Sequence, residues 1–256
     1  MSEGRAPEPV ERYGSTHGVH FVPRDAEWYR SRARFFHHRT HAFLPASVGA
    51  AILDLACGAG EFLYYLRSRG YTAARGIDLS DEQLALARGM GLENVAREDA
   101  FTHLRAHPRS YDFILASHIV EHLPKDAVVE GLGLMGKALR DGGRLVVLAP
   151  NAASPLGLPY AFGDFTHEVY FTAMSLAQAA ALAGLTIVDI GGIAPDAVGA
   201  KGALKAALWA GVLRPLLVGV LGDRRMRYGH VMEPELIGVF GRPDEAAAAA
   251  SPAGRG

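Results

Sequence analysis

Ile52-Leu53-Asp54-Leu55-Ala56-Cys57-Gly58-Ala59-Gly60-Glu61-Phe62 is the stretch that decides the fold. It predicts a buried strand, a glycine-rich turn and the first turn of a helix. Gly58 and Gly60 lack a Cβ, so the chain can turn sharply there and a ligand can approach the backbone N–H groups at the helix N-terminus. The stretch therefore predicts a ligand-binding corner of a β-α unit. A tight turn without a ligand is the alternative.

On both sides of this corner, short apolar runs alternate with amphipathic stretches that are long enough for helices. The alternation is typical of parallel β-α units, so we expect one doubly wound α/β domain. A helix is expected over 174–183, ended by Gly184. The expected strands are 51–56, 72–77, 94–97, 111–117, 144–148, 185–190 and 235–240.

An acidic residue follows the second expected strand, in Gly76-Ile77-Asp78-Leu79-Ser80. A carboxylate at Asp78 can accept hydrogen bonds from both hydroxyls of a ribose and would repel the extra phosphate of NADP. The alternative role is helix N-capping, which Ser80 can perform. NAD itself is disfavoured, because Leu63 occupies the position where a dinucleotide-binding helix needs a small residue.

These motifs resemble those of the class I S-adenosylmethionine-dependent methyltransferases. Asp54-Leu55-Ala56-Cys57-Gly58-Ala59-Gly60 is similar to the first motif of that family, and Asp78 matches its acidic second-strand residue. Glu98-Asp99-Ala100-Phe101 resembles the segment that contacts adenine. Tyr111-Asp112-Phe113-Ile114 and Asp141-Gly142-Gly143-Arg144-Leu145-Val146-Val147 resemble the fourth strand and the turn into the fifth.

The resemblance implies a Rossmann-like, mostly parallel seven-stranded sheet with an antiparallel last strand. It also implies S-adenosyl-L-methionine as cofactor. The residues then expected to bind it are Asp54, Ala56, Gly58, Gly60, Asp78, Leu79, Asp99, Ala100, Ser117 and His122.

Histidine is the expected catalytic base, since its pKa suits proton transfer near neutral pH and an acceptor hydroxyl benefits from losing its proton. Ser117-His118-Ile119-Val120-Glu121-His122 follows the fourth strand, where α/β sheets place their ligands, so His118 is one candidate. A structural role at a helix start is the alternative. The His-X-X-Glu-His spacing also matches a zinc-protease pattern, which is disfavoured because that pattern needs one long helix.

A second candidate lies in Gly163-Asp164-Phe165-Thr166-His167. There, Asp164 would orient His167 as the base; stabilisation of a long loop is the alternative. Asp164, His167, His118 and Glu121 could converge on a metal, but their spacing does not require one, and no metal is expected. The overall layout resembles bacterial methyltransferases associated with surface glycans and secondary metabolites, on the basis of the Asp-Phe-Thr-His segment, the Phe-Thr pair before a helix and the Leu-Trp-rich C-terminal insertion.

The expected organisation is a flexible N-terminus (1–12), an N-terminal helical cap (13–49), the cofactor-binding domain (50–242) and a disordered tail (243–256). Insertions at about 151–172 and 195–230 are expected on the acceptor side. Residues 201–227 are apolar with flanking basic residues. Arg214-Pro215 is expected to interrupt this stretch at its centre, which argues against a membrane span. A lid over the acceptor, a homodimer interface and peripheral membrane contact remain open.

Composition narrows the function further. The 26 basic and 27 acidic side chains nearly cancel, which disfavours a nucleic-acid partner. Cys57 is the single cysteine, and with no apolar signal-like run at the start, a cytoplasmic location is expected. The resemblance to bacterial methyltransferases implies O-methylation of a hydroxyl on a glycan or small molecule. A non-catalytic S-adenosylmethionine-binding module and an NAD-dependent oxidoreductase are the alternatives.

Overall fold

A computed structural model describes residues 24–195, 199–223 and 225–242. Seven strands form one sheet: β1 (Ile52–Leu55), β2 (Ala74–Asp78), β3 (Val95–Arg97), β4 (Tyr111–Ser117), β5 (Leu139–Pro150), β6 (Thr186–Gly192) and β7 (Glu235–Gly241). Their order across the sheet is β3-β2-β1-β4-β5-β7-β6. All seven strands expected from the sequence are present. The predicted N-terminal and C-terminal ends, 1–12 and 243–256, lie outside the described residues.

Helices alternate with the strands. They are α1 (Ala26–Thr40), α2 (Glu61–Ser68), α3 (Asp81–Gly89), α4 (Ala100–Ala106), α5 (Lys125–Ala138), α6 (Leu158–Ala161), α7 (Ala173–Leu182), α8 (Gly199–Leu208) and α9 (Arg214–Val220). A single 3₁₀ turn, Val120–His122, follows β4. Ser80 caps α3 by accepting a hydrogen bond from Gln83 N, as the sequence predicts.

The central strands are apolar on both faces because helices cover both sides of the sheet. Leu53, Leu55 and Ile114 are fully buried in the core on one face. Ile52 and Phe113 are fully buried in the core on the other. Consecutive side chains of a strand point to opposite faces, which explains why these strands are continuous apolar runs rather than alternating patterns.

β7 is the strand that runs against the others. It pairs antiparallel with both β5 and β6, whereas the other strand pairs are parallel. This confirms the Rossmann-like fold with an antiparallel last strand. The strand order reverses between β1 and β4, and ligands of such sheets bind beyond the carboxyl ends of the strands at that point.

The N-terminal helix α1 packs on α2, beside the glycine loop. Asp25 caps it by accepting from Trp28 N at 2.9 Å. Phe36 packs against Phe62 with ring centroids 5.3 Å apart. Tyr29 is fully buried, and its hydroxyl donates to Ala59 O at 2.7 Å. The cap is therefore anchored directly to the loop that follows β1.

The helical segment between β6 and β7 differs from expectation. Arg214-Pro215 does not interrupt it, because a π-helical turn, Trp209–Leu213, joins α8 to α9 in one helix over Gly199–Val220. A π turn accommodates the missing N–H of a proline without ending the helix. By length and composition alone, this helix could cross a membrane, and nearly all of it is exposed. Interface and membrane contact remain predictions for it.

Candidate functional site

The glycine loop after β1 has the conformation that a close ligand requires. Gly58 and Gly60 have φ of 54° and 80°, in the left-handed region that favours glycine. A Cβ on Gly60 would lie 2.6 Å from Leu92 Cδ1, so glycine is needed there for packing. A Cβ on Gly58 would meet nothing closer than 3.9 Å. Gly58 therefore leaves open space beside the backbone, where a cofactor can lie.

Asp78 is tied to this loop by its hydrogen bonds. Its Oδ2 accepts from Gly58 N and its Oδ1 from Ser80 N, each at 2.8 Å. Burial raises the pKa of Asp78, and the backbone donors partly oppose that shift. Each oxygen keeps a lone pair for a further donor. The arrangement fits acceptance from ribose hydroxyls, and capping of α3 is left to Ser80.

Three carboxylates surround the loop: Asp54, Glu61 and Asp78. Asp54 is 3% exposed, and burial followed by the charges of Glu61 and Asp78 holds its pKa well above the usual range. Such a cluster favours a cationic ligand and disfavours an anionic one. S-adenosylmethionine carries a sulfonium and an ammonium group, whereas a dinucleotide carries an anionic pyrophosphate. The residues present thus fit the adenosyl cofactor better than NAD.

The remaining residues expected at the cofactor lie at or near the carboxyl ends of the strands. Asp99 is exposed and caps α4, with its Oδ1 accepting from Thr102 N at 2.8 Å; Ala100 is the first residue of that helix. Leu79 follows β2 and Ser117 ends β4. Ala56 follows β1 with a φ of 57°. Contact of Asp99 with adenine stays a prediction from the sequence.

A cavity of about 610 Å³ lies at the acceptor side of the sheet. Its walls combine α1, the ends of β4 and β5, the loop 151–172 and the start of β7. None of the described residues of the 199–220 helix lines it, so the lid expectation finds no support at this cavity. The lining residues are Arg32, Phe35, Arg39, His118, His122, Pro150, Pro159, Tyr160, Gly163, Asp164, His167, Pro234 and Glu235.

His118 is held between two carboxylates. Its Nδ1 lies 3.0 Å from Glu121 Oε1 and its Nε2 lies 2.9 Å from Glu235 Oε1. Burial alone would lower the pKa of His118, but the hydrogen bonds from Glu121 and Glu235 outweigh it and raise the pKa to about 10. Both ring nitrogens therefore carry protons near neutral pH. A histidine that donates from both ring nitrogens has no lone pair for a base, so this geometry favours a positioning role for His118 over the catalytic role expected from the sequence.

Glu121 lies beneath His118 and is 1% exposed. Its Oε1 faces the imidazole of His118, and its Oε2 is buried without a hydrogen-bond partner among the described residues. The backbone carbonyl of Glu121 accepts from Glu168 N at 2.8 Å and Val169 N at 3.1 Å. These two bonds fasten the loop after β5 onto the 3₁₀ turn after β4.

That contact brings His167 beside His122. The ring centroids are 4.7 Å apart and the rings meet edge to face. His167 Nδ1 lies 2.7 Å from Ala161 O, so a backbone carbonyl orients the ring where we expected Asp164 to do so. Asp164 Oδ1 instead accepts from Thr166 N at 2.9 Å and from Thr166 Oγ1 at 2.7 Å. Asp164 thus shapes the loop that carries His167.

Sequence reasoning missed three charged residues of this cavity: Arg32, Arg39 and Glu235. Arg39 donates to Glu235 Oε2 from Nε at 2.8 Å and from Nη2 at 2.6 Å. The helical spacing of Arg32, Phe35 and Arg39 places them on one face of α1, and this signal was available in the sequence. Glu235 gives no such local signal, because its partners His118 and Arg39 are 117 and 196 residues away.

Comparisons with known proteins agree with this fold. A family model described as a methyltransferase domain matches residues 27–190. The chain is 28% identical over 161 residues to a ubiquinone biosynthesis O-methyltransferase of Aeromonas salmonicida, covering 57% of this chain and 66% of that protein. A protein of the same name from Hydrogenovibrio crunogenus is 27% identical over 158 residues, covering 56% and 64%. The chain therefore matches slightly less than two thirds of the length of these relatives.

Among solved structures, a SAM-dependent methyltransferase from Archaeoglobus fulgidus matches with a TM-score of 0.60. The match covers 84% of this chain and 93% of that chain at 20% sequence identity. At that identity, the likeness concerns the fold alone.

Proposed function

We propose that this chain methylates a hydroxyl of a small molecule or of a sugar unit in a glycan. The chain belongs to the methyltransferase-domain family and is an S-adenosylmethionine-dependent methyltransferase. The observation that carries the proposal is the cavity at the carboxyl ends of β4 and β5, with His122 and His167 in its wall. The names of the curated relatives, which are O-methyltransferases, support oxygen as the acceptor atom.

The size and lining of the cavity suit such an acceptor. Binding sites for small molecules commonly measure about 300–1,000 Å³, and this one measures about 610 Å³. Tyr160, which is 67% exposed, offers a ring face for packing against a sugar or an aromatic ring, whereas the guanidinium groups of Arg32 and Arg39 lie over the ring of Phe35. The cationic groups of Arg39 and His118 are balanced by two carboxylates, since Glu235 pairs with both of them and Glu121 pairs with His118. This charge balance favours neutral, hydroxylated acceptors over strongly charged ones.

The chemistry required of the protein is alignment and proton removal. Bound S-adenosylmethionine supplies a methyl carbon whose bond to sulfur breaks as the acceptor oxygen bonds to it. His167 is the proposed proton acceptor: its Nδ1–H donates to Ala161 O, which leaves the lone pair on Nε2. The hydroxyl proton moves to that nitrogen as the new C–O bond forms. Holding both reactants in line contributes further by removing translational and rotational freedom beforehand.

The test combines binding with turnover. Calorimetry with S-adenosylhomocysteine and, separately, NADH should give saturable binding of the adenosyl ligand alone. Turnover is then followed with methyl-labelled S-adenosylmethionine and a panel of hydroxylated metabolites and sugars, each beside its deoxy and amino analogue. Label should enter a hydroxyl compound and not its deoxy analogue. Labelling of the amino analogues alone would overturn oxygen as the acceptor.

A matched pair of variants tests the role of His167. His167→Gln should lower kcat by about 10²–10⁴-fold while retaining S-adenosylhomocysteine binding. His230→Gln changes an exposed histidine that does not line the cavity, and it should turn over like the parent protein. Equal turnover of the two variants would remove His167 from the reaction.

A further inference from the structure

We propose that Glu121, His122 and His167 bind one divalent transition-metal ion of the Zn²⁺ class in the wall of the acceptor cavity. Each residue can offer one ligand atom, and the three atoms lie within 4.8 Å of one another. Two imidazoles and one carboxylate, with a position left open, form the donor set of catalytic zinc sites. The sequence analysis expected no metal, because the spacing of Asp164, His167, His118 and Glu121 does not require one.

The buried carboxylate of Glu121 is an independent sign of a cation. Glu121 Oε2 has no hydrogen-bond partner among the described residues, although the side chain is almost completely buried. Buried carboxylate oxygens are unfavourable unless a donor or a cation compensates them. Its Oε1 already faces His118 Nδ1, which leaves Oε2 as the ligand atom.

Both imidazoles are oriented by partners on the ring nitrogen that a metal would not use. His167 Nδ1 donates to Ala161 O at 2.7 Å, which leaves Nε2 as the ligand atom. Thr166 Oγ1 donates its own proton to Asp164 Oδ1 and lies 2.9 Å from His122 Nδ1. That oxygen therefore accepts from His122 Nδ1–H, which fixes the orientation of the ring. Metal-binding histidines are typically held in this way through their other nitrogen.

The carboxylate ligand has the same kind of support. His118 donates to Glu121 Oε1, and Glu235 holds His118 from the other side. Arg39 in turn donates to Glu235. Three ligands and their outer partners thus form one connected network, so that each ligand atom has a fixed direction.

The separation of the ligand atoms requires only small side-chain movements. Zinc bonds of about 2.0–2.1 Å place tetrahedral ligand atoms about 3.3 Å apart. The present separations, up to 4.8 Å, must therefore close by about 1.5 Å or less, which side-chain rotation can provide. His122 and His167 line the cavity, so the open position would face the acceptor.

The role of this ion rests on the proposed function. A cation beside the acceptor hydroxyl favours loss of its proton by stabilising the negative charge on oxygen. Because the ion occupies Nε2 of His167, the proton transfer to His167 described above applies to the metal-free protein, and in the metal-bound protein the hydroxyl proton leaves to water in the cavity. The methyl transfer itself is unchanged: the C–O bond forms and the C–S bond breaks.

The test measures metal binding directly. Untagged full-length protein, stripped with a chelator, is titrated with Co²⁺ by calorimetry and visible spectroscopy and then challenged with Zn²⁺. One equivalent of Co²⁺, with absorption bands of a four- or five-coordinate site that Zn²⁺ removes, is expected. Binding of neither ion to the parent protein would overturn the proposal.

Variants locate the bound ion. His122→Gln and His167→Gln should each lose the equivalent, while Thr166→Val, which keeps both imidazoles, should weaken binding about 10–100-fold. His41→Gln is the control, because His37 and His41 stack on the surface with centroids 4.5 Å apart and could hold an adventitious ion. If His41→Gln loses the bound metal equivalent, or if His167→Gln keeps it, the proposed metal site is refuted. If the His122 and His167 variants do not fold, the metal affinity of Thr166→Val decides: affinity equal to that of the parent protein would refute the site.

The outcomes separate this proposal from the function on which its role rests. Labelling of a hydroxyl by a protein that binds neither Co²⁺ nor Zn²⁺ would refute the metal site and leave the O-methyltransferase standing. One bound metal equivalent in a protein that methylates only amines would support the metal site and overturn oxygen as the acceptor atom.

Discussion

Replacing Gly60 by alanine tests whether the glycine loop is as tightly constrained as its geometry indicates. The residue has a φ of 80°, and an added Cβ would lie 2.6 Å from Leu92 Cδ1 and 3.2 Å from Ala87 Cβ. Left-handed backbone costs a residue with a Cβ about 1–2 kcal/mol, and overpacking a filled site costs about 1–3 kcal/mol. We therefore expect Gly60→Ala to lower the free energy of unfolding by about 2–5 kcal/mol.

Two other glycines separate these contributions. Gly184 has a φ of 76° with no heavy atom within 4 Å of an added Cβ, so Gly184→Ala should cost only the backbone strain, about 1–2 kcal/mol. Gly89 ends α3 with equally open surroundings and no positive φ, so Gly89→Ala should be neutral or stabilise by up to about 1 kcal/mol. Urea unfolding followed by circular dichroism gives all three values. If Gly60→Ala lowers the free energy of unfolding no more than Gly184→Ala does, the added Cβ at Gly60 has no packing cost and the prediction is refuted.

Three further predictions concern charge and burial. Asp78→Asn should weaken S-adenosylhomocysteine binding by about 10–100-fold in calorimetry, since a hydrogen bond to a charged group contributes about 1.5–3 kcal/mol. Asp81→Asn is the control: the side chain of Asp81 is 75% exposed, and its replacement should leave the binding unchanged. Burial raises the pKa of the Cys57 thiol well above its usual value. Native protein at pH 8 should therefore react with a thiol reagent far more slowly than protein unfolded in urea. Equal reaction rates would contradict the raised pKa of Cys57. Glu235→Gln should lower the free energy of unfolding by about 3–5 kcal/mol, because it leaves Arg39 and His118 without their shared carboxylate. The control Glu130→Gln breaks an exposed pair and should cost no more than about 1 kcal/mol; similar losses in both would refute the importance of burial.

Local sequence patterns determined the fold and the cofactor loop. The strand, turn and helix around Gly58 and Gly60 are specified within a dozen neighbouring residues, because apolar runs and glycines act through backbone geometry close to them in the chain. Asp78 was predictable for the same reason, since β2 lies beside β1 and brings its end to the loop. In contrast, the break expected at Arg214-Pro215 was wrong, because a π-helical turn absorbed the proline.

Only the tertiary structure decided what the histidines can do. His118 has the right residue type and position for a base, but Glu235, which is 117 residues away, shares its proton and holds it charged. His167 acquires its orientation from Ala161 and its neighbours from the turn after β4. A protonation state or a ligand set depends on the sum of charges, donors and burial within a few ångströms in space. Sequence spacing does not report that sum for residues that meet only when the sheet is assembled.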